Sequence, residues 1–211
     1  MTDWQLWHSP YDDPTSALST RLSAVQEQLS QALDRAPAGP LRLLSLCAGQ
    51  GRDVLPVLAQ HPRGRDVTGR LVELDPDVAD IARHASPPGL EVMQGDAGTE
   101  AAFAGAVPVD VLLLCGIFGN VEDDDVERTV RAVPSLLAHG GTVLWTRHRG
   151  APDLTPAIRG WFADVGVHEI AFVSQAPDAG WAVGAGVLNR SGTPFGHHGR
   201  LFTFTRRPPD A

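Results

Sequence analysis

Leu41-Arg42-Leu43-Leu44-Ser45-Leu46-Cys47-Ala48-Gly49-Gln50-Gly51-Arg52-Asp53 decides the fold of this chain. Its apolar run suits a buried strand, stops at small residues, and gives way to a helical pattern at Val54, Leu55, Val57 and Leu58. The stretch predicts a strand, a tight glycine turn and a helix. Gly49 and Gly51 carry no side chain to hold a ligand off, and the new helix aims unsatisfied N–H groups into the same space. A Gly-x-Gly turn alone also serves corners that need only positive φ, so its meaning depends on the residues C-terminal to it.

Downstream of the turn, strand and helix patterns alternate repeatedly. A second strand, Gly69 to Leu74, ends at Asp75-Pro76, a helix cap followed by proline at the first helical position. Glu73, 22 residues past Gly51, stands at the end of that strand. A carboxylate there can accept both ribose hydroxyls of an adenosine, a feature shared by dinucleotide and adenosyl sites. A third strand, Leu90 to Gln94, runs into Gly95-Asp96-Ala97-Gly98, and a fourth, Val109 to Cys115, into Gly116-Ile117-Phe118-Gly119-Asn120. In a parallel sheet these strand-end loops share the carboxyl edge and form a crevice where the strand order reverses.

Glu122-Asp123-Asp124-Asp125 has the look of a metal cluster, but it precedes a helical pattern at Val126, Val130 and Val133, where acids favour the helix N-terminus. That helix is expected to end at His139-Gly140. A fifth strand, Thr142 to Thr146, then delivers Arg147, His148 and Arg149 to the same edge. A further helix from Thr155-Pro156 to Gly166 is followed by strand-like runs at Glu169 to Ser174, Ala182 to Leu188 and Leu201 to Thr205, which predict an antiparallel edge.

At the other end, Asp13 as cap and Pro14 at the first helical position open a helix with Leu18, Leu22, Val25, Leu29 and Leu33 on one face and a polar face toward water. Before it, Trp4 to Asp12 is dense in aromatic and amphipathic groups, as a lid or an anchored terminus requires. Residues 1–40 therefore read as an N-terminal lid and helix. The expected fold class is α/β: a doubly wound, Rossmann-like, mostly parallel seven-stranded sheet with helices on both faces, an antiparallel C-terminal edge and an N-terminal helical lid.

Composition narrows the chemistry. The 211 residues, 43% hydrophobic and 20% charged, suffice for one full core. A formal charge of −8 disfavours a nucleic-acid partner. All 17 basic residues are Arg, which removes Schiff-base lysines and the phosphate-loop lysine. The polar start and the lack of a membrane-spanning apolar run lead to the expectation of a cytoplasmic protein with no membrane partner. Cys47 and Cys115 read as small buried thiols. The eight histidines, with His197-His198 in a glycine-flanked loop, show no metal-ligand spacing, so no metal is expected.

Residues 41–146 resemble the class I S-adenosylmethionine-dependent methyltransferases, and the tail strands fit that fold too. Leu44 to Gly51 looks like the family's first motif, with Ser45 where an acid is usual and Cys47-Ala48 in place of Gly-x. The whole chain is similar to a bacterial group of uncharacterised methyltransferases with Trp-His-x-x-Tyr-Asp near the start and Cys-Ala-Gly-x-Gly-Arg-Asp in the loop. The resemblance implies S-adenosyl-L-methionine as cofactor, bound by a domain spanning 41–211. It implies Cys47, Ala48, Gly49, Gly51, Cys115 and Gly116 around the methionine, Glu73 on the ribose, and Asp96 with Ala97 at the adenine edge.

The fourth motif, Cys115-Gly116-Ile117-Phe118, departs from the Asp/Asn-Pro-Pro-Tyr pattern of enzymes that methylate base nitrogens. Thr146-Arg147 and Cys115 replace the metal ligands of the catechol type. The implied reaction is metal-independent methyl transfer to a small molecule, foremost O-methylation. A carboxylate acceptor needs no base and could be oriented by Arg147 or Arg149. A hydroxyl or amine needs one, and His148 and His8 have the right unperturbed pKa, with Tyr11 the only phenol. Trp7, Phe118 and Asn120 complete the substrate-side candidates. N-methylation, a nicotinamide-dependent oxidoreductase and a catalytically silent cofactor-binding protein stay open as rivals, as do monomer and homodimer.

Overall fold

The computed structural model describes residues 13, 15–175, 180–192 and 199–205. Trp7, His8, Tyr11, Pro14 and His197-His198 lie outside the described residues. Seven strands form one sheet: β1 (Leu41–Leu46), β2 (Val67–Glu73), β3 (Leu90–Gln94), β4 (Val109–Leu114), β5 (Leu137–His148), β6 (Val167–Ser174) and β7 (Trp181–Leu188). Their order is β3-β2-β1-β4-β5-β7-β6. Every pairing up to β4 with β5 is parallel, while β7 runs antiparallel to both β5 and β6. The order reverses between β1 and β4, and that notch is the topological switch point.

Helices cover both faces, as expected of a parallel sheet whose strands are buried on each side. On one face lie α1 (Ala17–Arg35) and α2 (Leu55–Gln60), which pack Val25, Leu29, Leu33, Val54 and Leu58 against β1 and β4. On the other, α4 (Asp123–Leu136) and α5 (Thr155–Asp164) pack Val126, Val130, Val133, Ile158 and Phe162. Between them in sequence, α3 (Pro76–Ala85) follows β2, capped by Asp75 through the N–H groups of Asp77 and Val78. No helix among the described residues is long and apolar enough to cross a membrane.

Two helix boundaries and the polar face of the first helix differ from the sequence reading. Helix α1 starts at Ala17 with Ser16 as its cap, because Asp13 spends its carboxylate on the N–H and hydroxyl of Thr15. Its polar face is not all in water: Gln28 is buried, and Gln26 donates to the carbonyl of Arg52 at 2.7 Å. Helix α4 ends at Leu136 rather than at His139, since Pro134 supplies no N–H and the chain passes straight into β5.

Leu201 to Thr205 does not join the sheet. The connection from β3 to β4 contains only a short 3₁₀ turn, Glu100–Ala102, and this leaves room on the α4 face that Leu201 and Phe202 fill as fully buried side chains. The segment makes isolated bridges instead, Arg200 to Thr99 and Phe204 to Val121.

Candidate functional site

The loop after β1 turns through three positive φ values, at Cys47 (60°), Gly49 (56°) and Gly51 (74°). For Cys47, the sole non-glycine among the described residues with positive φ, this is an unfavourable conformation that the surroundings must hold in place. The N–H of Ala48 donates to the Val72 carbonyl, and Gly51 accepts from Leu55, so the loop is tied to β2 on one side and starts α2 on the other. A Cβ on Gly51 would come within 2.7 Å of Leu55. The turn therefore requires glycine for packing as well as for φ.

Glu73 faces this loop from the end of β2. One carboxylate oxygen accepts the Gly49 N–H at 2.8 Å, and the other accepts Leu74 and Asp75 N–H at 2.8 and 3.0 Å. The adjoining Leu74 is 65% exposed, an apolar side chain left in solvent beside a carboxylate. Asp96, past the end of β3, accepts the Gly98 N–H at 2.9 Å, and Ala97 behind it is buried in the core. Burial pushes the Cys47 thiol well up, and the charges of Glu73 and Asp96 add to the shift, so all three sit in one electrostatic neighbourhood.

Two groups at the notch went unassigned in the sequence reading. Burial raises the Asp53 carboxyl from 3.8 to about 6, opposed by its own N–H and by the charge of Arg21 on α1. Burial also lifts Cys115, at the mouth of β4, well above the ordinary thiol range; Asp53 reinforces the shift and Arg21 counters it. The charges of Arg21 and Asp53 are thus both felt at Cys115, at the end of β4. Asp53 was within reach as the acid directly after the glycine loop, whereas nothing local marks Arg21, which the fold brings in from another helix. Both cysteines are neutral thiols and free, Cys47 packing toward the α4 face and Cys115 toward the α1 face.

Beyond the notch the side chains turn inward. Gly116, at φ 75°, faces open space, and its N–H donates to the Thr146 hydroxyl at 2.9 Å. Asn120 donates its amide to the Gly116 carbonyl at 2.8 Å, closing the loop on itself. Phe118 is fully buried, its ring 6.2 Å from that of Trp145, so its side chain presents no surface to a ligand. Arg147 is buried as well, donating to the Phe118 carbonyl and lying 3.6 Å from Asp123. Arg149 holds Asp153 at 2.9–3.0 Å and reaches the Ser174 hydroxyl. His148 stays exposed, close enough to Gly119 that a Cβ there would lie 3.1 Å from the imidazole. Among the described residues, no group of three or more His, Cys, Asp or Glu side chains is disposed to hold a metal ion.

The fold as a whole has counterparts among solved structures. An O-methyltransferase family protein from Burkholderia thailandensis superposes with a TM-score of 0.62 at 19% identity, covering 80% of this chain and 55% of that one. Magnesium protoporphyrin IX methyltransferase from Synechocystis, solved with bound S-adenosylmethionine, gives 0.64 at 12% identity over 88% and 91%. The CurJ carbon methyltransferase gives 0.66 at 12% identity over 89% and 59%. The chain has the methyltransferase fold. It spans about half the length of the Burkholderia protein. No family model and no curated protein matches the sequence. Within the methyltransferase fold, the glycine turn, Glu73 and Asp96 of this chain share the carboxyl edge, while Phe118, Arg147 and Arg149 are part of its framework.

Proposed function

We propose that this chain is an S-adenosylmethionine-dependent methyltransferase of a small molecule, with O-methylation as its leading reaction and no metal required. The observation that carries the reading is Glu73, held 2.8 Å from the glycine-turn N–H at the switch point of a methyltransferase fold. The donor set suits the cofactor: Glu73 offers lone pairs to ribose hydroxyls, exposed Leu74 an apolar face to adenine, and Asp96 an acceptor for its amino group. Open space at Gly116 and the acidic Asp53 suit the methionine end, which carries cationic groups. When bound, the cofactor supplies an electrophilic methyl group on a sulfonium.

This chain's own residues have to align the acceptor, exclude water and leave the nucleophile unprotonated. A hydroxyl acceptor is favoured over a carboxylate, because Arg147 and Arg149 already bond to protein groups; the base proposed for it is His148, whose imidazole lies beside Gly119 in the loop after β4. His148 would take the hydroxyl proton, leaving the acceptor oxygen able to attack the methyl group that the bound cofactor would supply. His8, Tyr11 and Trp7 keep their proposed places on the acceptor side. The net charge of −8 supports a small-molecule acceptor over nucleic acid, and a cytoplasmic monomer or homodimer completes the proposal.

The test is isothermal titration with S-adenosylhomocysteine, run beside NAD and NADP. Saturable binding of S-adenosylhomocysteine alone is the expected result. Binding of a dinucleotide alone makes the protein an oxidoreductase, and no heat from any of the three overturns the reading. Radiolabelled methyl transfer to a panel of phenols, carboxylates and amines then separates O- from N-methylation and both from a silent binding protein.

A further inference from the structure

The segment Gly199–Thr205 crosses the carboxyl edge as a strap. Leu201 N–H donates to the Gly98 carbonyl at 2.8 Å, Thr203 N–H to the Asp125 carboxylate at 2.7 Å, and Thr205 N–H to the Asn120 carbonyl at 2.9 Å. With Leu201 and Phe202 fully buried, it is anchored at both ends and in the middle. The fit is close at Gly98, where a Cβ would lie 2.2 Å from the Phe202 carbonyl. The strap therefore fixes the loop after β3 and the loop after β4 relative to each other.

At its start, Arg200 donates to the Asp96 carboxylate at 2.7 Å and reaches the Phe202 carbonyl at 3.4 Å. The other Asp96 oxygen already holds the Gly98 N–H at 2.9 Å. One contact on each oxygen sets the plane of the carboxylate and leaves a lone pair on each for a further donor. The surface pair Arg159–Glu169, equally exposed, joins α5 to β6. Arg200 instead ties the strap to the carboxylate at the end of β3 that faces the candidate adenine subsite.

We propose that Arg200 is a positioning residue for the adenosyl cofactor, holding Asp96 in the orientation that accepts the 6-amino group of adenine, so that the C-terminal strap is part of the cofactor site. The inference rests on the chain being an adenosyl-cofactor binder. A fixed carboxylate favours an exocyclic amine over a 6-oxo group, which presents an acceptor to an acceptor. The strap would in this way contribute to selection of adenine over hypoxanthine.

Titration of the full chain with S-adenosylhomocysteine and S-inosylhomocysteine tests it. Arg200→Ala is expected to weaken S-adenosylhomocysteine about two- to fivefold, the range of an exposed ion pair, and to leave S-inosylhomocysteine unchanged. Arg200→Lys should restore most of the loss, and in an Asp96→Asn background Arg200→Ala should add nothing. Equal weakening of both nucleosides, or undiminished S-adenosylhomocysteine binding, overturns the inference. Failure of the unsubstituted chain to bind S-adenosylhomocysteine overturns the cofactor reading itself. If Arg200→Ala does not fold, Arg200→Gln carries the same comparison, with loss of adenine preference at raised ionic strength in the unsubstituted chain as a second readout.

Discussion

The two halves of the carboxyl edge are built differently. On the β1–β3 side, functional groups lie within a residue or two of the backbone turns that place them: the carboxylates of Glu73 and Asp96 accept N–H groups of strand-end loops, that of Gly49 among them. On the β4–β5 side, long side chains leave the edge altogether. Arg147 turns under the Phe118 carbonyl, Arg149 turns to Asp153, and Phe118 enters the core. One half presents its polar groups to the crevice, and the other uses them to hold the crevice in shape.

Arg147→Ala breaks this contrast most sharply. If Arg147 belongs to the framework, removing its buried guanidinium costs about 2–4 kcal/mol of stability, read as a lowered urea midpoint, because the Phe118 carbonyl and Asp123 lose a charged partner. A variant of unchanged stability that fails to bind acceptor would instead return Arg147 to the substrate side. Glu73→Ala should do the opposite: near-normal melting but S-adenosylhomocysteine binding weakened at least about tenfold, as loss of charge-assisted hydrogen bonds implies.

A smaller effect sharpens the view of the notch between the halves. The Asp53 carboxyl stands at about 6 in the fold against an ordinary 3.8. Between those values the folded chain keeps a proton that the unfolded chain has released, so this group makes stability fall as pH rises from about 4 to about 6 and level off above. Urea midpoints of the unsubstituted chain should therefore decline across that window relative to those of Asp53→Asn. Parallel curves for the two proteins would mean that burial does not hold the proton there.

These differences arise from the kind of information each feature needs. Strand β1, the glycine turn and Glu73 are legible because strand ends in a parallel sheet collect at one edge whatever the rest of the chain does. Asp75-Pro76 is legible because a cap is a local bond. Arg147 could be placed at the edge from its position at the end of β5, but its direction depends on Phe118, 29 residues earlier. Arg200 and Asp96 are 104 residues apart and meet only because a short β3–β4 connection leaves room for Phe202. The strap read as a strand for the same reason that it fills a core so well, since alternating apolar residues suit both.

The sequence by itself determined the α/β architecture, the switch-point crevice and the acids that face it, because hydrophobic period, glycine turns and capping residues act over a few positions. Tertiary structure alone decided which arginines serve as framework, that the charges of Arg21 and Asp53 are felt at Cys115, and that the C-terminal segment closes over the β3 and β4 loops. Those outcomes depend on how long side chains satisfy buried carbonyls and carboxylates across the fold, and local pattern carries no record of such distant partners.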